Sequence, residues 1–258
     1  MSMILTSLQD GIFRITLNRP EKFNSFCREM ALAFQHALDQ AAENEEVRLV
    51  LITGEGKAFC AGQDLAEAIE ENGLELEQIV QEHYNPVILK MRALRRPILC
   101  AVNGVAAGAG ANIALAGDIV VAHASASFIQ AFSKIGLIPD SGGTYFLPRL
   151  IGFQKASALM MTGEKVPAAE AEQMGMIYRC FPAESYVEEV EKLARSLASM
   201  PTYGLALTKE LLNESYHNTL EHQLQREGEL QVKASKSYDY TEGVQAFLEK
   251  RSAIFKGK

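Results

Sequence analysis

The amino-acid sequence predicts an α/β fold, in which buried strands alternate with helices early in the chain and helices alone follow later. Two observations support this prediction. Between residues 13 and 122, apolar runs typical of buried strands alternate with segments of helical periodicity. After Gly142 the helical periodicity continues almost to the end of the chain. We therefore expect a strand-containing core over residues 1–200 and a helical region over residues 201–258.

The first elements predicted are a strand, a helix and a second strand. Residues 13–17 alternate between apolar and polar side chains, which predicts a half-buried strand. Apolar residues at steps of three and four predict an amphipathic helix over residues 25–44, with Asn24 or Ser25 as its N-cap. The apolar run over residues 47–53 predicts a strand buried on both faces.

The same order then recurs, with a strand over residues 98–102, a helix of small residues over 108–116 and a strand over 119–122. The helices predicted after Gly142 cover residues 143–151, 154–161, 168–174, 185–199, 203–214, 220–235 and 242–251. The acidic stretch over residues 67–82 is typical of either a mobile lid or a solvated helix pair.

The composition excludes several classes of protein. With 48% hydrophobic and 22% charged residues, the chain is neither disordered nor fibrous. A formal net charge of -7 argues against a nucleic-acid-binding surface. The 4 cysteines are scattered without a C-x-x-C pair, which indicates reduced thiols and no zinc site. The first residues lack the basic and apolar segments of a signal peptide, so we expect a cytoplasmic protein.

Two glycine-containing turns, over residues 59–64 and 103–110, each follow a predicted strand. Glycine lets the backbone approach a ligand closely, and the second turn opens a helix whose free N–H groups attract an anion. Tight packing of the helix is the alternative explanation for these small residues. Neither a G-x-G-x-x-G nor a Walker-type nucleotide motif is present.

Asp140 lies directly before the glycine-rich start of the helix predicted over residues 143–151. This position is typical of a helix cap. The apolar neighbours between Ile135 and Pro139 favour a second role, because desolvation raises the pKa of a carboxyl group toward that of a useful general base. Both roles remain open from the residues alone.

No serine or cysteine protease-like arrangement is evident. The 5 histidines fall on predicted helices or loop edges and are expected at the surface. Cys60 lies in a glycine turn, where a nucleophile is conceivable, but its neighbour Phe59 favours a small buried thiol.

Taken together, these segments resemble the enoyl-CoA hydratase/isomerase family, also called the crotonase family, over essentially the whole chain. The resemblance rests on residues 17–20 with Asn24, on 58–64, on 101–104, and on Glu242, Gly243, Phe247, Lys250 and Arg251. It implies a crotonase-like spiral of repeated ββα units. It also implies that residues 201–258 form a C-terminal helical oligomerisation region, which builds a homotrimer or a dimer of trimers.

The resemblance also implies the site. Backbone N–H groups of Gln63 and Ala109 would form an oxyanion hole for the thioester oxygen. Contacts with coenzyme A are implied for Lys22, Phe23, Ala61, Gln63, Asp64 and Leu65, and, toward a neighbouring subunit, for Phe247 and Lys250. The acyl pocket would be lined by Tyr84, Asn112 and Phe132, with other residues between Glu70 and Arg92.

Hydratases of this family carry glutamates at the positions of Asn112 and Phe132, so the resemblance argues against hydration here. Asp140 stands where isomerase and dehalogenase branches carry an aspartate. Residues 105–110 and 131–140 resemble the isomerase branch of phenylacetate degradation, which implies conversion of a ring-1,2-epoxyphenylacetyl-CoA to an oxepin-CoA and shifts of 3-enoyl to 2-enoyl double bonds. No metal or redox cofactor is implied, since coenzyme A is part of the substrate.

Three alternatives remain open at this stage. Two are enzymes: a fatty acyl Δ3,Δ2-enoyl-CoA isomerase, and a hydratase that uses Asp140 with water. The third is a non-catalytic acyl-CoA-binding scaffold.

Overall fold

The structure is a computed structural model that describes residues 2–68 and 74–258, apart from the side chain of Ala68. Its strands are β1 (Ile4–Gln9), β2 (Ile12–Leu17), β3 (Leu49–Gly54), β4 (Ala58–Cys60), β5 (Ile98–Val102), β6 (Val105–Ala107), β7 (Ile119–His123), β8 (Ser127–Ile129), β9 (Lys165–Pro167) and β10 (Arg179–Phe181).

The helices begin with α1 (Arg28–Glu43), α2 (Leu65–Ala68), α3 (Leu76–Gln78), α4 (Asn85–Ala93), α5 (Ala109–Leu115) and α6 (Gly143–Ile151). They continue with α7 (Phe153–Thr162), α8 (Ala168–Gln173), α9 (Tyr186–Ala198), α10 (Thr202–Ser215), α11 (Leu220–Ala234) and α12 (Tyr238–Glu249). A π-helical turn, Ile79–Tyr84, joins α3 to α4.

The strands form two sheets, with the orders β1-β2-β3-β5-β7-β10 and β4-β6-β8-β9. Apart from the antiparallel pairs β1 with β2 and β8 with β9, all neighbours are parallel. Consecutive strands such as β5 and β6 lie in different sheets and are followed by a helix, so the ββα unit repeats along the chain. The predicted α/β spiral is confirmed.

Strand β3 is buried on both faces, which explains its uninterrupted apolar sequence. Val50 and Ile52 belong to the core cluster that contains Phe34 of α1. Leu49 and Leu51 belong to a second cluster, which lies beneath α9. The sheet is therefore covered by helices on both sides, as the sequence pattern predicted.

The predicted N-cap of the first long helix is wrong. Helix α1 begins at Arg28 with Cys27 as its N-cap, and no side chain of the cap residue binds the helix. Instead, the carboxylate of Glu67 accepts the backbone N–H of Arg28 at 3.0 Å. Asn24 is fully buried, and its amide donates to the carbonyls of Glu55 and Ala58. Asn24 therefore links the loop before α1 to residues 55–58.

The short strands β4, β6, β8, β9 and β10 and the N-terminal strand β1 were not predicted. Several have only 3 residues, too few to show a period of two. The predicted boundary at residue 200 falls between α9 and α10, and helices α10 to α12 follow it. In the described segments, no helix is long and apolar enough to cross a membrane.

Candidate active site

The two glycine-containing turns meet in the structure. A Cβ atom at Gly62 would lie 3.0 Å from the carbonyl oxygen of Ala107 and 3.6 Å from the backbone nitrogen of Ala109. A Cβ atom at Gly110 would lie 2.3 Å from the carbonyl oxygen of Cys60. Glycine is therefore required at both positions, because any side chain would push the end of β4 away from the start of α5.

Among the described residues, two backbone N–H groups find no hydrogen-bond acceptor where these turns meet. Phe26 forms a parallel bridge with Gln63, in which the flanking Gly62 and Asp64 make the hydrogen bonds, at 2.7 and 2.8 Å. The N–H of Gln63 therefore points away from Phe26. Ala109 is the first residue of α5, so its N–H has no acceptor within the helix. The pair can donate to an oxyanion.

The side chain of Gln63 is held from both sides. The hydroxyl of Tyr84 donates to Gln63 Oε1 at 2.6 Å, and Gln63 Nε2 donates to Glu67 Oε2 at 3.2 Å. Burial, and the nearby Cys60 and Asp140 groups, hold the pKa of Tyr84 well above its ordinary value. Tyr84 therefore remains a neutral phenol that orients Gln63.

Asp140 occupies a tight turn at the start of α6. Its carbonyl oxygen accepts the N–H of Gly143 at 2.8 Å, while Ser141 and Gly142 have φ angles of 51° and 74°. The N-cap of α6 is Gly142, and no side chain in the described part of the structure caps this helix. The Asp140 carboxylate accepts the hydroxyl of Ser141 at 2.9 Å instead. The capping role that the sequence left open is therefore excluded.

Burial raises the pKa of Asp140 to about 6. The direction and its main cause, desolvation of the carboxylate, both agree with the sequence prediction. Ile135 and Ile138, which were expected to shield the carboxylate, are 54% and 81% exposed. The turn that carries Asp140 is bonded to α5 through Asn112, and Tyr84 lies close enough to the carboxylate to feel its charge.

Asn112 lies one turn after Ala109 on α5 and is completely buried. Its Nδ2 donates to the carbonyl oxygen of Asp140, and its Oδ1 accepts from Gln130 Nε2, both at 2.8 Å. Phe132 is also buried, and its ring lies 3.8 Å from the position of a Cβ at Gly108, the residue before α5. Asn112 and Phe132 therefore lie beside the Asp140 turn and the free N–H of Ala109, respectively.

The sequence pattern did not predict a role for Gln130. It is 4% exposed and follows strand β8 in a mainly apolar segment. A single polar residue in that segment was the only available signal, and it does not identify a partner 18 residues away in the chain.

Several residues predicted to bind coenzyme A cluster at one edge of this site. The N–H of Ala61 donates to the carbonyl of Phe23 at 3.0 Å, so the segment containing Lys22 lies beside residues 61–65. Phe23 and Leu65 are 54% and 52% exposed and so are available to a ligand. The carboxylate of Asp64 is paired with Arg19 at 2.9 Å, which stabilises this edge.

Phe247 and Lys250 lie in the C-terminal region, where Phe247 lines a cavity of about 500 Å³ with Pro201 and Val244. Their reach toward a neighbouring subunit's coenzyme A stays a prediction. Glu70, at the start of the predicted acyl-pocket segment, lies outside the described residues.

The expectation that all histidines lie at the surface is wrong for one of them. His83 is completely buried beside Tyr84, and burial lowers its pKa. Burial raises the pKa of Cys60 to about 12, so its thiol is no nucleophile at neutral pH. Among the described residues, no group of three or more acidic, histidine or cysteine side chains is arranged to hold a metal ion.

A two-sheet spiral of ββα units, with two free N–H groups near a half-buried carboxylate, defines a crotonase-like protein. The sequence profile described as Enoyl-CoA hydratase/isomerase matches residues 7–258. The chain belongs to this family, as its sequence predicts.

Three curated relatives illustrate the range of activities within the family. The chain is 46% identical to the 1,2-epoxyphenylacetyl-CoA isomerase of Escherichia coli (strain K12), over 100% of both chains. It is 42% identical to a probable enoyl-CoA hydratase of Rhodobacter capsulatus, covering 97% of this chain and 96% of the relative. It is 33% identical to the trans-2-decenoyl-[acyl-carrier-protein] isomerase of Streptococcus mutans, covering 99% and 98%.

Solved structures agree on the fold. A crystal structure of a provisionally assigned enoyl-CoA hydratase/isomerase from Mycobacterium abscessus superposes with a TM-score of 0.94 at 36% identity, over 99% of this chain and 100% of that one. The crystal structure of enoyl-CoA hydratase from Bacillus anthracis gives a TM-score of 0.92 at 32% identity, with the same coverage.

Proposed function

We propose that this enzyme is an isomerase of acyl-CoA thioesters, which converts ring-1,2-epoxyphenylacetyl-CoA to oxepin-CoA and shifts 3-enoyl to 2-enoyl double bonds. The observation that carries the proposal is the Asp140 carboxylate, half-buried next to a pair of free backbone N–H groups, with no acid at Asn112 or Phe132. The 46% identity to an isomerase with that epoxide substrate supports it.

In the proposed mechanism, ionised Asp140 removes a proton from the carbon next to the thioester carbonyl. Negative charge then moves to the thioester oxygen, where the N–H groups of Gln63 and Ala109 stabilise the enolate. The protonated Asp140 returns the proton to a carbon farther along the acyl group. Substrate and product are isomers, so the reaction needs no net oxidant or reductant; the proposal assigns both proton transfers to Asp140, and coenzyme A belongs to the substrate.

The geometry favours isomerisation over hydration. Asn112 carries an amide, which cannot take a proton from water as a carboxylate does, and its two polar atoms already bind Gln130 and the Asp140 backbone. The family resemblance implies an acid at the position of Phe132 in hydratases, whereas here a buried apolar ring lies at the start of α5 and excludes water.

The first test replaces the proposed base. In Asp140→Asn we expect isomerisation of a 3-enoyl-CoA to fall on the order of 10³-fold, because the amide accepts no proton. Exchange of the α-proton in D₂O should fall equally, while affinity for the acyl-CoA stays close to that of the wild type. Asp39→Asn, which alters a surface ion pair with Lys90, is the matched control and should keep full activity. An Asp140→Asn enzyme with wild-type turnover would refute the assignment.

A second experiment separates the substrates. Wild-type enzyme is supplied in turn with ring-epoxidised phenylacetyl-CoA, 3-hexenoyl-CoA and crotonyl-CoA. We expect the first two to be isomerised and the third to gain no water. Turnover of 3-hexenoyl-CoA alone would identify a fatty acyl enoyl-CoA isomerase, and hydration of crotonyl-CoA would contradict the roles given to Asn112 and Phe132. Tight binding without any turnover would indicate a scaffold.

We further infer that the protein is a homo-oligomer, either a trimer or a dimer of trimers. Large apolar side chains are exposed near the Asp140 turn, where Ile138 is 81% exposed, and in the C-terminal helices, where Leu220 and Phe247 are 76% and 83% exposed. Exposed apolar groups of this kind are typical of subunit interfaces. Light scattering coupled to size-exclusion chromatography tests the inference, and a monomer at micromolar concentration would refute it.

A further inference from the structure

The turn that carries Asp140 has an unfavourable backbone conformation. Ser141 has a φ of 51°, a left-handed value that a residue with a Cβ atom rarely adopts, and Gly142 follows with 74°. Such a conformation persists only when the surroundings hold it in place. The direction of the Asp140 side chain therefore depends on contacts that stabilise this turn.

The carbonyl oxygen of Asp140 receives two hydrogen bonds. One comes from the N–H of Gly143 and closes the turn, and the other comes from Nδ2 of Asn112, both at 2.8 Å. The contact with Asn112 is so close that a Cβ atom at Gly143 would lie 2.3 Å from that same nitrogen. Asn112 thus packs directly against the turn from the interior of α5.

The amide of Asn112 could in principle rotate and present its oxygen to the Asp140 carbonyl, which would repel it. The rotation would also break the hydrogen bond that Gln130 Nε2 donates to Asn112 Oδ1 at 2.8 Å, so Gln130 opposes it. Asn112 is 0% and Gln130 4% exposed, so water cannot easily substitute for either bond. The two amides form a buried series of hydrogen bonds that runs from Gln130 through Asn112 to the backbone of Asp140.

We propose that Asn112 and Gln130 are positioning residues, which hold the backbone of Asp140 so that its carboxylate is aimed at the α-carbon of the substrate. The inference rests on the proposed function, since it assumes that Asp140 is the base. The family resemblance implies a glutamate at the position of Asn112 in hydratases. Here Asn112 would instead support the backbone of Asp140, the proposed base.

The test compares Asn112→Ala and Gln130→Leu with Ser127→Ala. Ser127 is the matched control, because it is a buried polar residue on β8 whose hydroxyl has no hydrogen-bond partner among the described residues. We expect kcat for 3-enoyl-CoA isomerisation to fall about 100-fold in Asn112→Ala, since a displaced catalytic group loses roughly this much. Gln130→Leu should lose less, because Asn112 can still reach Asp140. KM should change little in either, and Ser127→Ala should match the wild type.

The double variant tests whether Gln130 acts on Asp140 only through Asn112. Once Asn112 is truncated, Gln130 has nothing to orient, so Asn112→Ala with Gln130→Leu should be no slower than Asn112→Ala alone. Kinetics are measured well below the thermal unfolding midpoint of each variant, so that only folded enzyme contributes. If Asn112→Ala does not fold, Gln130→Leu still tests the inference, because a wild-type kcat would overturn it.

Two further results would overturn the inference. A raised KM with unchanged kcat would show that Asn112 contacts the acyl group instead of aiming Asp140. Multiplying losses in the double variant would show that the two residues act separately. These failures differ from that of the proposed function: if Asp140→Asn is inactive while Asn112→Ala keeps its full kcat, only the positioning role is lost.

Discussion

At the scale of single residues, the chemistry of the site depends on what burial does to three side chains. Burial raises the pKa of Asp140 to about 6, so that it is mainly ionised at neutral pH yet basic enough to take a proton. Burial also keeps Tyr84 and Cys60 protonated. Among these three groups, only Asp140 changes its charge near neutral pH.

The pH dependence of the reaction follows from this pKa. The base must be ionised to accept a proton, so kcat/KM for 3-enoyl-CoA isomerisation should rise with pH and level off above about 6. Below that pH we expect a fall of about tenfold per pH unit, because the ionised fraction falls by that factor. An activity profile that stays flat between pH 4.5 and 8 would contradict a base of this pKa.

The same shift predicts a pH-dependent cost in stability. The pKa of Asp140 is higher in the folded protein than its ordinary value of 3.8, so the folded state favours the protonated form. Stability is therefore lost as the pH rises through about 6. At pH 8, Asp140→Asn should increase the free energy of unfolding by up to about 3 kcal/mol, and this gain should shrink toward zero as the pH falls to 4. Urea unfolding at both pH values measures this gain in the free energy of unfolding. An equal gain at pH 4 and pH 8 would contradict the raised pKa of Asp140.

At the scale of elements, the site is built where the end of β4 meets the start of α5. The approach of these elements brings the N–H groups of Gln63 and Ala109 close together. Gly62 allows this approach, because it has no side chain that would contact the Ala107 carbonyl. The turn before α6 then places Asp140 against α5 through Asn112. The site therefore depends on how three elements pack.

Gly62→Ala should impair the proposed oxyanion hole. Gly62 has a φ of 94°, and an added Cβ atom would lie 3.0 Å from the Ala107 carbonyl, so the backbone at Gln63 must shift. We expect kcat to fall on the order of 100-fold, comparable to the loss of one oxyanion donor. Gly228→Ala on α11 is the matched control, since a Cβ atom there meets no other atom within 4 Å. It should keep full activity, and equal losses in both variants would argue against a specific role for Gly62.

At the scale of the whole molecule, the C-terminal helices are fastened to the core by a largely buried ion cluster. Asp118, which precedes β7, accepts from Arg92 of α4 and from Lys209 of α10, each at 2.9 Å. Lys209 also donates to the carbonyl of Met91 at 2.8 Å. Burial lowers the pKa of Lys209, although Asp118 counteracts this effect.

Asp118→Asn should destabilise the protein by about 3 kcal/mol, because it leaves the positive charge of Lys209 buried beside a neutral side chain. The catalytic groups remain in place, so turnover below the unfolding transition should be unchanged. Chemical denaturation measures the loss, with Asp39→Asn, which alters a more exposed ion pair with Lys90, as control. An equal free energy of unfolding in both variants would show that the ion cluster does not stabilise the packing of α10 on the core.

Much of the fold could be predicted because long elements carry a clear period. The helix over residues 143–151 was predicted with its observed bounds, and the strand over 98–102 likewise. The three-residue strands of the second sheet could not be predicted, since their pairing depends on residues distant in the chain. The N-cap of α1 was misassigned because its first N–H is satisfied by Glu67, 39 positions later.

The sequence by itself determined the family, the α/β spiral and Asp140 as the candidate base, because these depend on local periodicity and on residue types at recognisable spacings. Only the tertiary structure excluded the cap role of Asp140, since the bonds and burial of this residue depend on packing. It also revealed the hydrogen bonds from Gln130 to Asn112 and from Asn112 to the Asp140 backbone, which join three separate segments. Hydrogen bonds between distant segments leave no periodic pattern in the sequence, so they become visible only once the chain has folded.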